Sequence, residues 1–169
     1  MPNKSIKIER QLAKSFLALI NNSVGAKTFQ NFYALTNGRS SDVMLGGELS
    51  CAFFVSSVCT IFGLIKRMHG TVTTTITDLE SSGWTKVARP KIGDILVWEE
   101  ARGHRHIGFY VAKDEAISNS AKKKIIARHH WTFGEKNKQA LRNVELILRY
   151  DFKKHEHYSV FPLSLLYNL

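Results

Sequence analysis

Residues 51–65 have the sequence CAFFVSSVCTIFGLI, in which apolar side chains cover almost the whole helical circumference. Two serines and a threonine form only a narrow polar stripe, so we expect a central helix that is covered on most sides. Ser50 is positioned to cap its start. Cys51 then lies in the first turn, where unpaired backbone N–H groups and the helix dipole stabilise a thiolate. The alternative is that Cys51 is a small buried hydrophobic residue.

Strand patterns dominate the chain from residue 92 onward. Five runs separated by short turns predict an antiparallel sheet, and they are ILVW, HIGFYV, EAIS, KIIARHHW and VELILRYDF. Residues 1–22 predict an amphipathic helix, residues 29–35 permit a short second one, and residues 76–82 predict another, closed by a glycine. Helices followed by strands indicate an α+β fold with the buried helix packed on a five-stranded antiparallel sheet.

The length of 169 residues, with 44% hydrophobic and 22% charged residues, is typical of one globular domain. We therefore expect a single domain over residues 1–169, with a helical part over about residues 1–85 and the sheet over about residues 92–152. The apolar C-terminal segment, residues 160–169, is expected to fold back onto this body.

A histidine opens the second strand run. Alternation along this strand places His106, Gly108 and Tyr110 on one face. A cysteine on a helix, then a histidine on a strand, then a polar residue on the following strand can supply a nucleophile, a base and a group that orients the base.

The segments LSCAFFVSSVCTIFGL, KIGDILVWEE and HIGFYVAKDEAISNS resemble the papain-like peptidoglycan hydrolases of the NlpC and CHAP families over about residues 45–120. Those families place the cysteine at the start of the central helix, a Gly-Asp turn before the first sheet strand, and a His-hydrophobic-Gly pattern on the next strand. The resemblance implies a papain-like fold with Cys51 and His106 as catalytic residues. His104 shares the face of His106 and is a rival base, but the His-Ile-Gly pattern begins at His106.

The third catalytic residue depends on the hairpin after the histidine strand. A two-residue turn at Lys113-Asp114 would place Asn119 on the face of His106, whereas a three-residue turn would place Ser118 there. We expect Asn119, because its carbonyl can accept the imidazole N–H. The oxyanion would be held by the backbone N–H of Cys51 and a second donor, for which Ser50 is one possibility.

Further aromatic and histidine side chains are candidates for the substrate cleft. His129, His130 and Trp131 can stack on a sugar or peptide, and Tyr110 shares the face of His106; the alternative is that the three residues at 129–131 pack at the rim of the sheet. Histidine pairs also occur at 104/106, 129/130 and 155/157. No Cys-x-x-Cys or His-Glu-x-x-His accompanies them, so we expect neither a metal nor another cofactor.

Lys and Arg total 24 against 14 Asp and Glu, a net charge of +10 that favours anionic partners. The basic run at residues 122–124 lacks the interleaved aromatics of a nucleic-acid platform, so nucleic acid is not the expected partner. No apolar stretch approaches the roughly 18 residues of a membrane span, and no signal-peptide core is visible. We expect synthesis in the cytoplasm, followed by export as an effector or release as a lysin.

Together these features predict a cysteine hydrolase that cleaves an amide bond, in the stem peptides or cross-links of peptidoglycan. Two alternatives stay open. A papain-like deamidase, acyltransferase or isopeptidase would act on proteins through the same thiol. A non-catalytic basic module would bind nucleic acid, with Cys51 in a purely structural role.

Overall fold

The computed structural model describes residues 10–101 and 103–154. Within them lie three α-helices, namely α1 (Leu12–Asn22), α2 (Cys51–Ile61) and α3 (Val72–Ser81). The strands are β1 (Tyr33–Thr36), β2 (Arg39–Asp42), β3 (Thr85–Lys86), β4 (Ile95–Ala101), β5 (His104–Ala112), β6 (Glu115–Ser120), β7 (Ile125–His130), β8 (Glu135–Lys136), β9 (Gln139–Ala140) and β10 (Val144–Arg149). The α+β prediction is confirmed. The histidines at 155 and 157 and the segment 160–169 lie outside the described residues.

The central sheet is antiparallel, with the strand order β3-β10-β4-β5-β6-β7. All five predicted runs form strands in it. A sixth strand, Thr85–Lys86, pairs with the outer edge of β10. It was not predicted because two residues are too few to show an alternating pattern.

Helix α2 is buried from Ala52 to Cys59, as its apolar circumference predicts. It packs on β5 and β6, and the ring of Phe54 meets Phe109 edge-on with centroids 5.5 Å apart. Ser50, however, forms no capping hydrogen bond. Its hydroxyl is buried without a partner among the described residues, so Ser50 occupies the predicted N-cap position but its side chain does not cap the helix.

Residues 29–35 do not form the short helix that the sequence permitted. Tyr33–Thr36 and Arg39–Asp42 form a hairpin instead. The turn residues Asn37 and Gly38 have φ of 52° and 77°, the left-handed conformations that a two-residue Asn-Gly hairpin turn requires. The Asp42 carboxylate then accepts three backbone N–H groups around the hairpin base, which stabilises this fold of the segment.

The β5–β6 hairpin sets the geometry of the site. Its turn contains two residues, Lys113 and Asp114, as expected. The register nevertheless shifts between Tyr110 and Ala112, so that Gly108 pairs with Ser118. This irregularity adds one residue to β5. As a result, each β6 side chain lies on the opposite face of the sheet from the one it would have in a regular two-residue hairpin.

The Gly93-Asp94 turn anchors the start of β4. Asp94 is 3% exposed, and its carboxylate accepts the Lys91 N–H at 2.7 Å. It also forms an ion pair with Arg149 on β10 at 2.6 Å. This contact joins the turn to the neighbouring strand. In the described part of the chain, no helix has the length and apolar character needed to cross a membrane.

Candidate active site

Cys51 begins helix α2, and its half-buried side chain lines a cleft of about 730 Å³. Burial raises the pKa of the thiol. The backbone N–H groups of Ile107, Ala52 and Cys51 and the charge of Arg142 act in the opposite direction but do not outweigh burial. Cys51 is therefore a neutral thiol at pH 7, and the expected resting thiolate is not favoured.

His106 lines the same cleft from β5, and the backbone N–H of the next residue, Ile107, acts to lower the pKa of the Cys51 thiol. Burial, assisted by the positive charge of Arg142 and by His129, lowers the pKa of His106 to about 3. The imidazole is thus neutral at pH 7, and a pKa this low makes it a weak acceptor for the proton of a thiol whose own pKa is raised. The cleft brings the predicted nucleophile and the predicted base together.

Ser118, and not Asn119, is the partner of His106. The Nε2 atom of His106 lies 2.9 Å from the Ser118 hydroxyl. The prediction of Asn119 as the orienting residue is wrong because the register shift turns Ser118 to the histidine face. Asn119 points to the opposite face, where its buried Nδ2 donates to the Gly47 carbonyl at 2.8 Å. That bond ties β6 to the loop that precedes Cys51.

A second histidine continues the chain of hydrogen bonds. The Ser118 hydroxyl lies 2.7 Å from Nε2 of His129, and Nδ1 of His129 lies 2.8 Å from the His130 carbonyl. Burial lowers the pKa of His129, so this ring is neutral as well.

These contacts fix every proton position along the chain. A carbonyl only accepts, so Nδ1 of His129 carries the hydrogen and its Nε2 is bare. Ser118 must then donate to His129 and accept from Nε2–H of His106. The remaining nitrogen of His106, Nδ1, is left without a proton. It is the one ring nitrogen of His106 that can accept a proton.

Aromatic rings enclose the two histidines. The Trp98 ring is completely buried, with centroids 5.4 Å from His106 and 5.6 Å from His129. Phe133 stacks on His129 at 4.2 Å. These contacts restrict rotation of both imidazoles and bury much of each ring, which accounts for their lowered pKa values.

The predicted substrate residues separate into two groups. His129 lines a second cavity of about 310 Å³, which also borders His106. His130, Trp131 and Tyr110 line neither cavity. The ring of His130 accepts hydrogen bonds in the turn after β7, and Trp131 packs edge-on against Tyr110 at 6.0 Å. Their contacts match the alternative of packing at the sheet rim.

His104 lines the cleft but is exposed, and its backbone carbonyl accepts a hydrogen bond from Arg142. It has no ring partner comparable to Ser118 among the described residues, so the geometry favours His106 as the base. Over residues 10–101 and 103–154, no group of three or more His, Cys, Asp or Glu side chains is arranged to hold a metal ion.

Three important side chains were missed from the sequence: Trp98, Phe133 and Arg142. Alternation along β4 was a usable signal for Trp98, since it pairs directly with His106. Arg142 lies in the loop before β10. The sequence contains no pattern that would distinguish it from the others among the 24 lysine and arginine residues.

Comparison with known proteins adds no relative. A scan against protein-family models gives no match, and a search of curated proteins finds no similar sequence.

Proposed function

We propose that this protein is a papain-like cysteine hydrolase of the NlpC/CHAP type, which cleaves an amide bond in peptidoglycan stem peptides or cross-links. The observation that supports the proposal most is the shared cleft of Cys51 and His106, with the His106 tautomer set by Ser118 and His129. A structural cysteine would have no need of an oriented, neutral imidazole in the same cleft.

In this mechanism the Cys51 sulfur attacks the amide carbonyl carbon while its proton moves to Nδ1 of His106. The imidazolium formed is stabilised through its Nε2–H bond to Ser118. It then protonates the leaving amine as the C–N bond breaks, which leaves a thioester. Water attacks the thioester with His106 as base, releasing the carboxylic acid and restoring the thiol.

The tetrahedral oxyanion would accept hydrogen bonds from backbone N–H groups around the sulfur. The N–H groups of Cys51 and Ile107 belong to rigid elements, the start of α2 and the strand β5, and act at the sulfur already. Preorganised donors of this kind lower the barrier because they need not reorient during the reaction. The hydroxyl of Ser50, suggested above as the second donor, does not line the cleft.

The test is digestion of purified peptidoglycan with the wild type, Cys51→Ala and Cys59→Ala, followed by mass spectrometry of the soluble fragments. We expect new amine and carboxylate ends with the wild type and Cys59→Ala, and none with Cys51→Ala. Fragments that also appear with Cys51→Ala would refute the assigned nucleophile. Absence of fragments with all three folded proteins would refute peptidoglycan as the substrate.

A further inference from the structure

Arg142 introduces a positive charge into the wall of the Cys51 cleft. Its partly buried side chain lines both the cleft and the smaller cavity beside His106. The charge acts on both catalytic groups, since it lowers the pKa of Cys51 and of His106. The chemistry proposed above assigns no role to this residue.

The guanidinium is held entirely by neutral acceptors. Nε and Nη2 donate to the Glu99 carbonyl at 3.0 and 2.8 Å, and Nη2 donates to the His104 carbonyl at 2.8 Å. In the described part of the chain no carboxylate forms an ion pair with Arg142. Arg105, which lines the same cleft, is by contrast paired with Glu145.

One terminal nitrogen of the guanidinium, Nη1, remains available. Among the described residues, no acceptor contacts Nη1, which carries two N–H groups. Phe133 covers the guanidinium face, with its centroid 5.7 Å from the central carbon. The Glu99 carboxylate is engaged by Asn143 instead, and Glu48 and Glu100 lie exposed at the cleft rim, where water screens them.

Burial lowers the pKa of this cation and outweighs Glu99 and Glu145, which attract it and raise its pKa; neither forms an ion pair with it. A bound anion would offset the remaining cost of burying the charge. The two free N–H groups both belong to Nη1, which can donate charge-assisted hydrogen bonds to a carboxylate through this one nitrogen. We propose that Arg142 forms a carboxylate-binding subsite beside Cys51, so that the cleft selects amides with a free carboxylate next to the scissile bond. The selection among amide substrates rests on the proposed function, whereas the binding of a carboxylate by Arg142 does not.

Binding can be tested on the unmodified protein by NMR with two probes, N-acetylglycine and N-acetylglycinamide, which differ only in the carboxylate. We expect N-acetylglycine to shift the Arg142 Nε–H and the backbone amides of Cys51 and Ile107, and N-acetylglycinamide to shift them much less. The Arg142 signal is assigned with Arg142→Lys. Equal responses to both probes, or shifts confined to other surfaces, would overturn the subsite.

Thiol alkylation gives a second readout. Iodoacetate and iodoacetamide each form a bond from the Cys51 sulfur to carbon as iodide leaves, and the thiol proton passes to His106 or buffer. The ratio of the iodoacetate rate to the iodoacetamide rate should fall about ten-fold in Arg142→Gln, and less in Arg142→Lys. Arg105→Gln, which removes the same charge from the same cleft, should leave the ratio near the wild-type value. An unchanged ratio in Arg142→Gln, or an equal fall in Arg105→Gln, contradicts the proposal.

The proposed hydrolase function and the proposed carboxylate subsite can be refuted independently. A carboxylate response in a protein that never hydrolyses an amide would refute the proposed function and leave the subsite standing. Hydrolysis that depends on Cys51 but shows no preference for carboxylate-bearing probes would refute the subsite alone.

Discussion

Cys51 and His106 are both uncharged at neutral pH, because burial raises the pKa of the thiol and lowers that of the imidazole. In the proposed mechanism, proton transfer from the sulfur to Nδ1 of His106 would therefore accompany attack on the substrate. The helix N-terminus helps by stabilising the negative charge that develops on the sulfur. The raised pKa of Cys51 argues against a resting thiolate, so the proposed function requires the thiol to lose its proton during the reaction.

This protonation state predicts how the two cysteines react with iodoacetamide. Cys51 should be alkylated at pH 7.5 with a rate that still increases toward and above pH 9, because its pKa is raised. Cys59 is completely buried and should be unreactive until the protein unfolds. Peptide mass spectrometry after timed quenching measures both rates, with a urea-unfolded sample as the control. Labelling of Cys59 before Cys51 would contradict the assigned nucleophile.

The lowered pKa of His106 also predicts acid sensitivity of the fold. The folded state keeps this ring neutral down to a pKa of about 3, while in the unfolded chain it takes up a proton near pH 6.5. Its contribution to stability is therefore full above pH 6.5 and lost as the pH falls toward 3. Urea unfolding at pH 7 and pH 4 should show a loss on the order of a few kcal/mol.

Comparison with His106→Gln isolates this contribution. The variant should lose less stability than the wild type between pH 7 and pH 4, whereas His104→Gln, at an exposed position, should behave like the wild type. Equal pH dependence in the wild type and His106→Gln would show that the ring is protonated in the folded state. His129, whose pKa is lowered as well, should account for part of the remaining acid sensitivity.

Among the elements, the β5–β6 hairpin determines which polar side chain reaches His106. The extra residue between Tyr110 and Ala112 places Ser118 in the site and Asn119 beneath it. Ser118→Ala should lower turnover roughly 10- to 100-fold, since it removes the group that fixes the tautomer. It should also lower stability, because both histidines lose a buried hydrogen-bond partner.

Asn119→Ala should lower the stability of the fold but leave turnover almost unchanged. It removes a buried hydrogen bond to Gly47 and should cost about 1 to 3 kcal/mol of stability. Turnover by the folded fraction should be close to that of the wild type. Thermal melts combined with initial rates separate the two effects, and strong inactivation of a stable Asn119→Ala protein would contradict the observed register.

Gly108 permits the close pairing of β5 with β6. A Cβ at this position would lie 2.6 Å from the Ser118 Cβ and 2.7 Å from the Ile117 carbonyl oxygen. Gly108→Ala should therefore force the strands apart, lower the stability by about 2 kcal/mol or more and lengthen the bond from Ser118 to His106. Urea unfolding and turnover should both decline. A variant with wild-type stability would show that the hairpin can shift without cost.

Sequence reasoning worked where a periodic signal existed. The apolar circumference of α2 and the alternation of β4 to β7 were sufficient to predict the α+β fold, the position of Cys51 at the start of a helix and that of His106 on a strand. The extra residue in β5 left no such signal, because the turn itself has the expected two residues and the bulge depends on tertiary packing. The Asn37-Gly38 turn did have a sequence signal, which the apolar pattern of residues 29–35 obscured.

For the whole molecule, the net charge of +10 supports an anionic polymer as the proposed substrate. Surface charges act over a distance that salt shortens from roughly 10 Å at 0.1 M to roughly 3 Å at 1 M. Cleavage of intact, anionic peptidoglycan should therefore fall steeply with added salt. Cleavage of a short soluble stem peptide should fall much less, because the partly buried Arg142 is screened less than the surface lysines.

Release of soluble fragments at 0.1 and 1 M sodium chloride measures this difference, and peptidoglycan stripped of its anionic polymers is the control. If the surface charge concentrates the protein on the wall, removing those polymers should abolish most of the salt effect. If salt instead reduced cleavage of the wall and of the soluble peptide equally, the salt-sensitive interaction would lie in the cleft. Arg142 would then dominate recognition, and the lysines at positions 122 and 123 would serve only as a solvated turn.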